Sequence, residues 1–375
     1  MKFFKKDSHS IISQVVILSI IFGFAAGVVG QIVSDVYIDP YDQDILLNTG
    51  TSYPELIPEL RPVKRFLGIE QDFEVSASID RVATALVGIY QEKNSLTNIL
   101  NQIYLPSDLV ANGFILTADG WVVTYLNDFN VDDLVVVYNN QVFDITEQVI
   151  DDVTGISFLK ISANNLPVVV LGDSEEAALG QLEVVINDIN QAVVTNIKSL
   201  DYASYDSAAS FVLSSEDYNE MILLADNLED NYVGSPLINL AGEVVGVVAG
   251  DNTVIPINQF RFLIVDVLRN SLVRRSYLGV SYVDLAKTTG LKEEAIQGLT
   301  RGALIYQNPG RNTPAFIAGL KEDDVILSVD GQLINSENSL TELIQQYQPG
   351  DEVFLEISRD GQVITLSVVL AILEN

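Results

Sequence analysis

The sequence predicts a mainly β protein: an N-terminal transmembrane helix, a long strand-rich body and a C-terminal α+β module. Three observations carry that expectation. Residues 11–33 form an uncharged apolar stretch, long enough to cross a bilayer as a helix. From about residue 75 to residue 256, short apolar runs alternate with Asn, Asp and Gly turns, the pattern of an all-β sandwich or barrel. From about Ser276 onward, strand-like runs mix with a helix-like segment, which suits a separate α+β unit.

Lys2, Lys5 and Lys6 precede the apolar stretch, and Asp35, Asp39 and Asp42 follow it. That bias puts residues 1–10 in the cytoplasm and the main body outside, in the periplasm or at the cell surface. A cleaved signal peptide has a shorter apolar core with small residues at its end; here Ala25-Ala26-Gly27 lies mid-segment. A retained, single-pass signal anchor is therefore expected at 11–33. Gly23 and Gly27 form a small-xxx-small pair, weak support for helix association. Residues 34–74 are polar and carry Pro54, Pro58 and Pro62; proline removes donors and fixes φ, so this reads as an extended stalk or linker.

The strand-rich body is expected over 75–272. Its runs include 113–116 before Asp119-Gly120, then 121–124, then 134–138 before Asn139-Asn140, and 156–161 before Asn164-Asn165. A helix over 257–270 closes it, with Phe260, Ile264, Val267 and Leu268 on one face. The C-terminal module, 273–375, has strands at 278–282, 302–306, 324–329 and 352–358, and a helix at 339–347 ending before Pro349-Gly350.

Composition narrows the chemistry. With 20 basic and 51 acidic residues among 375 the formal charge is −31, which repels phosphate backbones and argues against a nucleic-acid partner. There is no cysteine, hence no disulfide, thiolate nucleophile or Cys-based zinc site. The one histidine, His9, falls on the cytoplasmic side, so the main body has no imidazole to serve as a neutral-pH general base. Neither an EF-hand loop, a phosphate-binding glycine loop nor a dinucleotide fingerprint is present, and no cofactor or metal is expected. The acid pairs Asp132-Asp133 and Asp151-Asp152 point to opposite faces if on strands, and both read as surface turns.

Three stretches then align with a known family. The first is Gly113-Phe114-Ile115-Leu116-Thr117-Ala118-Asp119-Gly120-Trp121-Val122-Val123-Thr124. The second is Ser235-Pro236-Leu237-Ile238-Asn239 with Gly242-Glu243-Val244-Val245-Gly246-Val247. The third joins Tyr277-Leu278-Gly279-Val280, Pro314-Ala315-Phe316-Ile317-Ala318-Gly319-Leu320 and Asp324-Val325-Ile326-Leu327-Ser328-Val329-Asp330-Gly331. Over about 75–375 the chain resembles the HtrA/Deg family, trypsin-like serine proteases in which a chymotrypsin-like double β-barrel precedes a PDZ domain. The anchored, single-PDZ layout is similar to that of the bacterial stress-sensing members, which implies a place in envelope protein quality control or signalling.

The resemblance also implies where a Ser-His-Asp triad would sit. Asn127 stands three residues after Thr124, where the family has histidine. Gly155 precedes Ile156-Ser157-Phe158-Leu159-Lys160, where the family has aspartate. Val233 stands in Asn231-Tyr232-Val233-Gly234-Ser235-Pro236-Leu237 at the serine position. None of these side chains does triad chemistry, so the sequence-based expectation is a degenerate site and a pseudoprotease, not an enzyme. The alternative is an active serine-type endopeptidase with a non-standard or partner-completed site. Ser235 is its candidate nucleophile, and Lys160 and Lys198 are the lysines of the β region. A purely structural envelope protein is a third option.

The PDZ resemblance implies peptide binding by strand addition, with backbone N–H groups of one loop holding a terminal carboxylate. The residues it assigns are Tyr277, Leu278, Gly279, Val280, Ser281 and Tyr282 along the loop and strand, and Leu340, Leu343 and Ile344 on the helix. Asp323 replaces a glycine common in the family, away from the groove. The implied partners are peptides or protein C-termini, and the implied assembly is a homotrimer or an oligomer mixed with active relatives.

Overall fold

The structure is a computed structural model, and it describes residues 69–93, 99–126, 130–203, 205 and 207–373, with the isolated positions 19, 22, 23, 26 and 27. By internal contacts the chain divides into Met1–Phe66 and Leu67–Asn375; the second unit carries the fold described below. Most of the expected anchor and of the expected stalk fall outside the described residues, among which no helix is long and apolar enough to cross a membrane.

A helix α1 (Ile69–Val82) runs through the position where the sequence placed the start of the β body. Its apolar residues are few, but Val82 is buried, and Val75 and Ile79 pack on the first core. Arg81 donates to the Ala241 carbonyl at 2.7 Å. Tertiary packing, not a strong intrinsic signal, makes this helix.

Six strands follow: β1 (Leu86–Gln91), β2 (Leu109–Ile115), β3 (Trp121–Tyr125), β4 (Leu134–Tyr138), β5 (Gln141–Asp151) and β6 (Ile156–Ile161). They pair in the order β1-β2-β3-β6-β5-β4, and β4 returns to β1 to close a barrel. Strands β4 and β6 match the sequence-based reading to the residue; Asn139 and Asn140, both at positive φ, form the tight turn of the β4–β5 hairpin. Phe114, Ile115, Phe158 and Leu159 are all buried in the first core cluster, neighbours along each strand pointing to its opposite faces.

The second barrel contains β7 (Val170–Leu171), β8 (Leu182–Ile186), β9 (Ala192–Tyr202), β11 (Met221–Leu224), β12 (Pro236–Ile238), β13 (Glu243–Gly250) and β14 (Thr253–Pro256); β10 (Val212–Ser214) lies between β9 and β11 in sequence but pairs elsewhere. The order is β12-β8-β9-β11-β14-β13-β7, and a β12–β13 pairing closes the ring. The helix expected at 257–270 is interrupted: 3-10 turns at Ile257–Gln259 and Arg261–Leu263 lead into α2 (Ile264–Asn270). Phe260 breaks the helical path at φ −139. Phe260 and Val267 are buried as expected, whereas Leu268 is exposed.

The last module comprises β15 (Ser276–Tyr277), β16 (Ser281–Asp284), β17 (Ala303–Ile305), α3 (Pro314–Ala318), β18 (Val325–Val329), β19 (Gln332–Leu333), α4 (Leu340–Gln345), β20 (Glu352–Arg359), β21 (Gln362–Val369) and β22 (Ala371–Ile372). The expected strand 278–282 is split. Gly279 has φ +81, and a Cβ there would meet Thr313 at 2.6 Å, so the backbone turns out of the strand at a position open only to glycine. The sheet order is β10-β16-β17-β18-β20-β21, which adds to this module a strand borrowed from the preceding barrel.

One sequence-based assignment is corrected outright. Asp151 is not in a surface turn: its side chain is 1% exposed, and both its oxygens accept from Arg275, Oδ1 from Nε at 2.7 Å and Oδ2 from Nη2 at 2.5 Å. Arg275 lies at the entry to the C-terminal module and is sandwiched between the rings of Tyr218 and Phe262. The pair joins residues 124 positions apart, so nothing local in the sequence marks it.

Candidate functional site

The groove of the C-terminal module is walled by β16 on one side and α4 on the other. Helix α4 starts at a reciprocal cap: Glu342 N–H donates to Ser339 Oγ, and Ser339 N–H donates to Glu342 Oε2 at 2.8 Å, which satisfies two otherwise orphaned donors. Burial pushes the Glu342 carboxyl up, against the pull of those bonds. Leu340, Leu343 and Ile344 face inward and share one buried cluster with Leu278, Val280 and Tyr282. The Tyr282 hydroxyl lies 3.1 Å from Thr341 Oγ1, tying strand to helix across the groove floor.

The loop 277–280 is shaped to hold an anion. The N–H groups of Leu278 and Gly279 converge on a single oxygen, Glu216 Oε1, at 3.0 and 2.9 Å. Beside them, Val280 N–H donates to Ser215 Oγ at 3.1 Å, and Ser215 N–H returns a bond to the Val280 carbonyl. Tyr277 sits next to the loop, its phenol raised by burial and by the Glu216 charge. The PDZ resemblance pointed to this loop and to both walls as peptide-binding. It missed Thr341 and the whole of 212–216, whose apolar-polar pattern gives no sign of its destination.

Beyond this groove, a cavity of about 830 Å³ lies between the second barrel and the C-terminal module. Lys287 reaches across it to Glu220 at 2.5 Å. Burial works against the Lys287 charge, but the Glu220 bond and the nearby Asp201 and Glu342 carboxylates raise its pKa overall.

The turn 231–237 sits where the two barrels meet. Asn112 on β2 holds it, donating from its backbone N–H to the Val233 carbonyl at 2.7 Å and from Nδ2 to the Asn231 carbonyl at 2.7 Å. Gly234 has φ +77, and a Cβ there would lie 2.2 Å from the Asn112 carbonyl oxygen. The N–H groups of Val233, Gly234 and Ser235 donate to Asp230, Val248 and Tyr232 respectively. Val233 is half-buried, while Ser235 is fully buried, out of reach of a substrate, which removes its claim as a nucleophile. Lys160 is engaged with Asp119 at 2.5 Å and lies over the Trp121 ring. Gly155, at φ +75, follows Asp151 through a turn in which its N–H donates to the Asp151 carbonyl. Asn127, the third position that the family resemblance implied, lies outside the described residues.

A PDZ-domain family profile matches residues 276–370. Among curated proteins, the chain is 30% identical over 278 residues to a "Probable periplasmic serine endoprotease DegP-like" of Halomonas elongata, covering 70% of this chain and 56% of that protein. A protein of the same description from Marinomonas sp. is 31% identical over 281 residues, covering 70% and 56%. The chain thus spans about half the length of the curated relatives it matches. Among solved structures, the "HtrA-type protease AlgW with tripeptide" superposes with a TM-score of 0.59 at 19% identity, covering 80% of this chain and 97% of that one. The serine endoprotease from Yersinia pestis gives 0.51 at 18%, covering 80% and 98%. The fold is therefore a chymotrypsin-like double barrel with a C-terminal PDZ domain, as in HtrA-type proteases. The expectation that the chain is not an enzyme is corrected: the curated relatives are named serine endoproteases and the structural neighbours are HtrA-type proteases. That expectation rested on aligning three single positions to motifs, one of which the structure does not describe, and on the lack of any histidine after His9.

Proposed function

We propose that this chain, with the fold and domain order of HtrA/DegP proteases, is a periplasmic protein of that serine-endoprotease class which engages peptides through its PDZ groove. The observation that carries the reading is the convergence of the Leu278 and Gly279 N–H groups on one carboxylate oxygen beside the strand β16. A loop of N–H groups next to a strand edge is what strand-adding recognition of a carboxylate-bearing peptide needs. Tyr277, Leu278, Gly279, Val280, Ser281 and Tyr282 would run beside the peptide, with α4 as the opposite wall. The relatives' description as periplasmic endoproteases supports an extracytoplasmic body and a role in envelope protein quality control or signalling. The apolar segment 11–33, with lysines before it, supports a single-pass tether, and the domain limits 75–272 and 273–375 go with that layout.

The test is a titration of the full-length chain in nanodiscs with a C-terminal peptide library, each free acid paired with its amide. Binding that requires the free carboxylate is the expected result. Equal binding of acids and amides would overturn the assignment of the loop. Protease accessibility of the two ends in intact cells checks the tether: residues 1–10 should be protected and the PDZ module accessible from outside the inner membrane.

A further inference from the structure

We infer that residues 212–216 are a built-in ligand of the PDZ groove, occupying it in place of a peptide until a carboxylate-terminated chain displaces them. This rests on the reading of the groove given above and names what regulates it.

The segment leaves the second barrel between β9 and β11 and does not return to that sheet. Instead β10 adds to β16 in antiparallel register, Val212 opposite Val283, Leu213 opposite Tyr282 and Ser214 opposite Ser281. The opposite wall also holds it, through a Thr341 Oγ1 donation to the Ser214 carbonyl at 2.8 Å. Leu213 packs against the buried cluster of the module. Ser215 exchanges bonds with Val280, its N–H donating to the Val280 carbonyl and its Oγ accepting from the Val280 N–H. Ser215 therefore stands where the last residue of a bound peptide would stand. The chain continues past it, so no terminal carboxylate is available; the Glu216 side chain supplies one, with Oε1 taking both loop N–H groups. Ser214 Oγ donates to the other oxygen at 2.9 Å and Ser215 Oγ to Oε1 at 2.5 Å. Ser215 is fully buried and Glu216 is 5% exposed, so this is a seated strand and not a surface loop lying across a groove.

A free peptide must compete with a tethered one. A short tether holds its ligand at an effective concentration of the order of millimolar, and apparent affinity falls by the fraction of molecules with an empty groove. A peptide ending in a free carboxylate brings its charge to the loop without needing a side chain to fold back. Its seating also disturbs the barrel, because the residues just after the strap are structural. Tyr218 stacks on Arg275, and Glu220 bonds Lys287 through its carboxylate and Gln259 through its carbonyl. Exchange of the strand thus reaches the buried Arg275–Asp151 pair.

The probe is a fluorescent nine-residue peptide with the sequence of residues 207–215 and a free C-terminal carboxylate, with its amide as control, titrated against the full-length chain in nanodiscs. Glu216→Ala, and separately a Gly/Ser linker of equal length in place of 212–216, should each bind the acid at least about tenfold more tightly than the parent does. The amide should gain far less. Hydrogen exchange at the Leu278 and Gly279 amides should be protected in the peptide-free parent and fast in Glu216→Ala. Equal acid binding by the parent and both variants would overturn the built-in ligand and leave the groove assignment standing. Failure of every variant to bind the acid, with unprotected loop amides in the parent, would overturn both.

Discussion

Replacing Asp151 by alanine strips Arg275 of the carboxylate that both its Nε and Nη2 contact. Each side chain of the pair is 1% exposed, so water cannot take the missing partner's place. The Gln259 carbonyl, 2.9 Å from Nη2, and the faces of Tyr218 and Phe262 remain, but none carries a full negative charge. Removing one member of a buried ion pair costs about 3–5 kcal/mol, since the survivor keeps its desolvation penalty without the attraction that offset it. Arg275→Ala should cost a similar amount. The double change to Asp151→Leu and Arg275→Met should cost clearly less than the sum, because no lone charge is then buried. The single tryptophan, Trp121, is buried in the first barrel, so urea unfolding followed by its fluorescence reads the barrel that Asp151 belongs to. The reasoning is refuted if both single alanine variants fall within about 1 kcal/mol of the parent, or if the double change equals the sum.

Three further outcomes follow from particular residues. Glu183 on β8 is fully buried, and burial pushes its carboxyl from 4.5 up to about 8. The folded chain therefore keeps a proton that the unfolded chain has lost, so stability declines from about pH 4.5 to pH 8 and is flat for this group above that. Glu183→Gln should abolish that slope, by up to a few kcal/mol in urea midpoints compared between pH 5 and pH 9; an unchanged slope would sink the assignment. Gly234→Ala places a Cβ 2.2 Å from the Asn112 carbonyl oxygen at φ +77 and should lower the thermal midpoint measurably, by about 1–3 kcal/mol in stability. Gly279→Ala, facing Thr313 at 2.6 Å with φ +81, should weaken peptide binding at least about tenfold by turning the Leu278 and Gly279 N–H groups out of line. Peptide titration by anisotropy reads that change.

Much of this protein was decided locally. Short, near-continuous apolar runs bounded by turn residues set β4 and β6, since such a run and the turn that ends it are properties of adjacent residues. The stretch around Gly279 and the segment after Ser339 were singled out by resemblance to PDZ domains, and the capping box that starts α4 at Ser339 is itself a local feature. Tertiary structure decided the rest. Helix α1 has too weak an apolar face to announce itself and forms because a core cluster drawn from both barrels accepts Val75, Ile79 and Val82. Asp151 reads as a turn residue until Arg275 arrives from 124 positions away. The strand at 212–214 satisfies its backbone on a sheet of the neighbouring module, and Glu216 looks like one surface acid among 51 acidic residues. Pairings between distant residues leave no periodic trace in the sequence, because the free energy that selects them comes from burial and hydrogen bonding that exist only once the chain has folded.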